Sequence, residues 1–78
     1  MTDKRNLPEV GDKFIVKKLG RTATMLVAWK YIRVRQEGIT VTFRRCGSGN
    51  AGDVWLCEHD DGLTIGAYVS DELERIDG

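Results

Sequence analysis

The sequence predicts a small all-β domain: a barrel of about five strands with one short helical turn near the C-terminus. Three observations lead there. Short runs rich in β-branched and aromatic residues recur along the chain, separated by glycine- and aspartate-bearing turn signals. The 78 residues leave room for one domain and a small core. A short sheet with no long helix to cover it protects its edges most economically by closing on itself.

Residues 1–9 are polar and read as a flexible N-terminal segment, with Pro8 biasing Leu7 towards extended backbone. Residues 10–78 form the single domain. Gly11-Asp12 is a turn signal leading into Lys13-Phe14-Ile15-Val16-Lys17-Lys18, with Phe14 and Val16 inward and the lysines guarding an edge. After Gly20 and a polar connection at Arg21-Thr22-Ala23-Thr24, the stretch Leu26 to Arg45 reads as one long β-hairpin turning at Glu37-Gly38. That register pairs Gln36 with Ile39, Val34 with Val41 and Ile32 with Phe43 on a core face. Arg35, Arg33, Tyr31 and Trp29 then lie opposite Thr40, Thr42, Arg44 and Cys46, with the Trp29–Tyr31 end free to bend inward.

Gly47-Ser48-Gly49-Asn50-Ala51-Gly52 is a loop. A second hairpin runs from Val54 to His59 and from Leu63 to Val69, with a three-residue turn at Asp60-Asp61-Gly62. It places Trp55 and Cys57 on one face with Leu63, Ile65 and Ala67. Ser70 to Ile76 fits a short helical turn capped by Asp71, with Leu73 and Ile76 inward.

Composition is that of an ordinary soluble chain, 41% hydrophobic and 31% charged. Nothing approaches the roughly 18 apolar residues of a membrane span, and the N-terminus lacks the apolar core of a signal peptide, so a cytoplasmic protein with no membrane partner is expected. Cys46 and Cys57 read as buried free thiols rather than a disulfide framework. The formal net charge of zero hides a split: residues 1–45 carry an excess of seven positive charges and residues 46–78 an excess of seven negative ones. Two halves that neutralise each other on folding account for this, and so does a dipole that steers a partner.

The order of elements, with the opening Gly11-Asp12-Lys13 and the ending Leu73-Glu74-Arg75-Ile76, resembles the SH3-like small β-barrel superfamily. An OB-like barrel is the alternative, though it normally needs more residues and a longer helix. Gly11-Asp12, Lys17-Lys18 and Leu73-Glu74-Arg75-Ile76 are also similar to the plasmid-borne type II dihydrofolate reductases, short chains assembling as tetramers around a pore. That family's pore rests on a Val-Gln-Ile-Tyr run, where this chain reads Leu63-Thr64-Ile65-Gly66, so the resemblance implies no catalytic residue here.

Gly47 to Gly52 satisfies G-x-G-x-x-G, but a strand follows instead of the helix N-terminus that holds a pyrophosphate, so a loop is the reading. Cys57 and His59 share a strand face, and with Cys46, Asp60 and Asp61 they supply metal-ligand types without zinc-site spacing. Their separation along a strand, roughly 6–7 Å, is too long for a nucleophile–base hydrogen bond. His59 reads as an exposed turn residue, and Glu58, Asp60 and Asp61 as a solvated turn. No catalytic residue, cofactor or metal is expected.

Trp29, Tyr31, Arg33, Arg35 and Arg44, flanked by Lys30 and Arg45, make the strongest functional stripe. Rigid aromatics beside arginines are what protein interfaces anchor on, and equally what small barrels use to hold single-stranded nucleic acid. Balanced net charge favours protein. The sequence therefore points to a binding module: a small adaptor or inhibitor of a larger protein assembly, of the kind phages and mobile elements encode. RNA or single-stranded DNA binding is the alternative, and a subunit of a homo-oligomeric enzyme a third.

Overall fold

The computed structural model describes residues 8–20, 26–47 and 52–76. Five strands form one antiparallel sheet: β1 (Lys13–Val16), β2 (Thr40–Cys46), β3 (Val54–His59), β4 (Ile65–Val69) and β5 (Leu73–Arg75), ordered β4-β3-β2-β1-β5. The fold is small and all-β. The last strand returns to pair with the first, matching Ile15 to Glu74 and Val16 to Leu73.

Alternation along β1 puts Phe14 and Val16 in the core and Lys13 and Ile15 outside. Their core face is completed by Val41, Phe43, Trp55, Cys57, Tyr68 and Leu73. Trp55 is the pivot, with the Phe14 and Phe43 rings tilted or edge-on to it at 5.6 and 5.7 Å. Val54, Leu56 and Ala67 point to the other side of β3 and β4, where Val27, Tyr31 and Ile32 cover them.

That cover replaces the long hairpin expected over residues 26–45. Only β2 is a strand there, and Val41 and Phe43 pair with Phe14 and Cys57 instead of Val34 and Ile32. Trp29–Ile32 forms a single helical turn, α1, closed by Tyr31 N–H to Ala28 C=O at 3.0 Å and Arg33 N–H to Trp29 C=O at 2.9 Å. Val27 and Tyr31, four apart, satisfy the helical period as well as the strand period, and burial against Leu56 and Ala67 selects the helical one.

The second hairpin exists, but its register is one residue off the expected one. The chain between the hydrogen-bonded residues His59 and Thr64 holds four residues instead of three, and Cys57 faces Gly66. A one-residue slip exchanges the faces. Trp55 and Cys57 therefore share the core with Tyr68, Ala67 lies on the α1 side, and Leu63 is 87% exposed. Gly66 sits opposite because a Cβ there would come within 2.6 Å of His59 Nε2 and 3.0 Å of the Tyr68 ring.

The expected C-terminal helical turn is shorter, a 3-10 turn at Ser70–Glu72, because residues 73–75 extend as β5; Leu73 is buried and Ile76 is not. Cys46 and Cys57 are free thiols, one half-buried and one buried. Among the described residues no helix is long and apolar enough to cross a membrane. Residues 1–7, the whole Arg21–Thr24 connection with Met25, Ser48 to Ala51 and residues 77–78 lie outside the described residues.

Candidate interaction surface

A buried polar assembly fixes where α1 sits. The Arg35 guanidinium donates to Glu72 Oε2, with the two side chains 2% and 1% exposed. The same oxygen accepts the Gly20 N–H, and Oε1 accepts the Val69 N–H at 3.1 Å. One residue on, the Gln36 N–H donates to the Tyr68 hydroxyl at 3.0 Å, and that hydroxyl lies 2.9 Å from His59 Nε2. Residues 35 and 36 are thereby tied to the ends of β3 and β4, and the α1 turn before them is held against β4.

His59 is thus a buried residue, 4% exposed, and not the exposed turn residue the sequence suggested. Arg35 likewise leaves the proposed stripe, its side chain enclosed and stacked 5.5 Å over the Tyr68 ring. Both look like surface residues in sequence because their partners lie far along the chain. Glu72 gives no local signal at all.

The other members of the stripe are dispersed. Trp29 is 67% exposed on the solvent side of α1, beside Leu26 at 62%. Arg33 follows four residues later and is also exposed. Tyr31 is half-buried, and the Lys30 ammonium lies 5.1 Å from its ring centroid. Arg44 is on β2 and pairs with Glu58 at 3.3 Å across an exposed rim.

Two shallow grooves flank Tyr31. One, about 240 Å³, is lined by Leu26, Val27, Ala28, Tyr31, Arg45, Gly47 and Leu56. The other, about 280 Å³, is lined by Lys30, Tyr31, Val34, Thr64 and Ile65. Each has one basic residue and no carboxylate in its lining. Arg45 reaches its groove because a β-bulge between Phe43 and Arg45 sets Arg45 opposite Leu56, on the α1 side of the sheet. Sequence reading placed Arg45 on the flank and missed Leu26. The exposed apolar residue next to a tryptophan was the available signal.

The groups best suited to nucleophilic chemistry are placed differently. Burial, with Cys46 nearby, pushes the Cys57 thiol up to about 12, so it stays protonated. His59 Nε2 is occupied by Tyr68. Among the described residues no group of three His, Cys, Asp or Glu side chains is placed to hold a metal ion. No family model, no curated protein and no solved structure matches the chain.

Proposed function

We propose that the chain is a non-enzymatic binding module, an adaptor or inhibitor acting on a larger protein assembly of the kind phages and mobile elements encode. Its SH3-like barrel character is part of that proposal, supported by the pairing of the last strand with the first. The single observation carrying the reading is Trp29, a large aromatic left 67% exposed on a turn whose backbone is fixed from below. Tryptophan on a rigid support is the commonest kind of interface anchor, because it loses little freedom on docking. Leu26 and the Arg45 groove extend the apolar contact, and Lys30 and Arg33 give it a positive rim. The fully protonated Cys57 and the engaged His59 favour binding over catalysis.

Trp29→Ala should leave urea unfolding unchanged within about 0.5 kcal/mol, as for an exposed site, and abolish capture of the protein partner. A variant that unfolds, or that captures the partner as well as the parent chain, removes the proposal. Lys30 and Arg33 beside Trp29 also favour a second reading, single-stranded RNA or DNA stacked on the indole. That reading predicts oligonucleotide affinity falling steeply with salt and lost in both Trp29→Ala and Arg33→Ala.

A further inference from the structure

The geometry points to a self-association surface along β4, on which two copies of the chain dock about a two-fold axis, each placing Leu63 in the other's Lys30–Tyr31–Val34–Ile65 groove. This does not rest on the partner proposed above and uses the opposite side of Tyr31. Three observations meet here.

The first is Leu63 itself, at 87% the most exposed of the large hydrophobic residues described. It is not a loose residue at a loop tip. Asp61 accepts hydrogen bonds from Leu63 N–H at 2.8 Å, Thr64 N–H at 2.9 Å and the Thr64 hydroxyl at 2.7 Å. Gly62, at φ +75°, closes the turn onto the His59 carbonyl at 3.0 Å. A leucine already held in place gives up little entropy on docking.

The second is the groove beside it. Thr64 and Ile65 are among its lining residues, so leucine and groove adjoin on one surface. An isologous dimer requires this, because the same patch must both donate and accept. Charge fits as well: Lys30 is the one charged residue lining the groove, and Asp60 and Asp61 precede Leu63.

The third is the strand. β4 lies at one edge of the sheet and reads Ile65-Gly66-Ala67-Tyr68-Val69, with no charge and no proline. Edge strands are ordinarily guarded by such residues, as β5 at the other edge is by Glu74 and Arg75, and an unguarded one is suited to a partner chain.

Sedimentation velocity on the full chain over rising concentration tests this. The expected result is a shift from monomer to dimer. Leu63→Asp, at a site outside the core, should weaken the dimer about tenfold or more while near-ultraviolet dichroism shows the fold intact. Lys30→Glu should weaken it also, and adding Asp60→Lys should restore it. A wild-type chain that stays monomeric, an assembly larger than a dimer, a dimer that survives Leu63→Asp, or a charge swap that restores nothing each overturns the proposal.

Discussion

Tyr68 joins the polar groups of the interior. Its hydroxyl oxygen accepts the Gln36 N–H and lies within hydrogen-bond distance of His59 Nε2. Burial holds the His59 pKa below its ordinary value, against the opposing pull of Asp61 and Asp60. A histidine kept neutral by the fold binds fewer protons than the unfolded chain once pH drops below about 6.5. Stability is therefore complete above that pH and declines as pH falls towards the depressed folded value. Urea midpoints measured from neutral pH to about pH 5 should show this decline. In His59→Gln, which retains an acceptor for the Tyr68 hydroxyl, the decline should be flattened. An unchanged slope would mean that His59 takes up its proton alike in the folded and unfolded chain. Asp61 adds a second, lower window: hydrogen bonds from Thr64 and Leu63 hold its carboxyl near about 2. Its contribution is present above the ordinary value of 3.8 and lost as pH falls towards the folded one. At this scale the apolar core was readable, since Phe14, Val16, Val41 and Phe43 alternate on their strands. The buried polar residues were not, because His59 and Tyr68 or Arg35 and Glu72 meet only after the sheet has formed.

Between elements, the Arg35–Glu72 pair does the joining, linking the segment after α1 to Gly20 and to the end of β4. A strand reading of residues 26–36 fails because β propensity is a weak prior. Val27, Trp29 and Tyr31 alternate as a strand would, yet Val27, Tyr31 and Val34 also lie at helical spacing. The choice between them is made by an apolar patch on β3 and β4 that the local sequence does not contain. Where strand pattern had no such competitor the strand forms as read: β3 spans Val54–His59, and β1 starts at Lys13 but ends at Val16, two residues short of the reading. Removing one partner of the buried pair leaves a charge without its counter-ion, at a cost of about 3–5 kcal/mol. For a domain whose whole stability is on the order of 5–10 kcal/mol, Glu72→Ala should unfold the protein or bring it close. Arg35→Met combined with Glu72→Leu should cost less than the sum of the two single changes. It should not be neutral, since the Gly20 and Val69 N–H groups lose the acceptor of their part-buried hydrogen bonds. Urea titration of the four species measures the coupling, and strict additivity would show that the two side chains act independently.

Over the whole molecule the charge split becomes a closure device. Among the described residues, the ion pairs Arg35–Glu72 and Arg44–Glu58 join bases of the first half to acids of the second, while Arg75–Asp12 crosses the halves with the signs reversed. Two of them are exposed and worth at most about 1 kcal/mol apiece, so they guide the match more than they hold it. The sheet carries the load: β2 pairs with β3 and β1 with β5, and both junctions cross between halves. Closing β5 onto β1 joins residues near opposite ends of the chain, so a large loop entropy is spent before those contacts are gained. A chain truncated after Val69 keeps four strands and most apolar side chains. It loses β5, the Leu73 contact to the core and the counter-ion of Arg35, and it bares the edge of β1. The expected outcome is a chain with no cooperative urea transition and no near-ultraviolet dichroism from Trp55, even though its first four strands are intact in sequence. A truncated chain that unfolds cooperatively near the parent midpoint would show that the four-strand meander is stable alone. Closure by β5 would then be dispensable, and Glu72 would owe its burial to the packing around it, not to holding the two halves together.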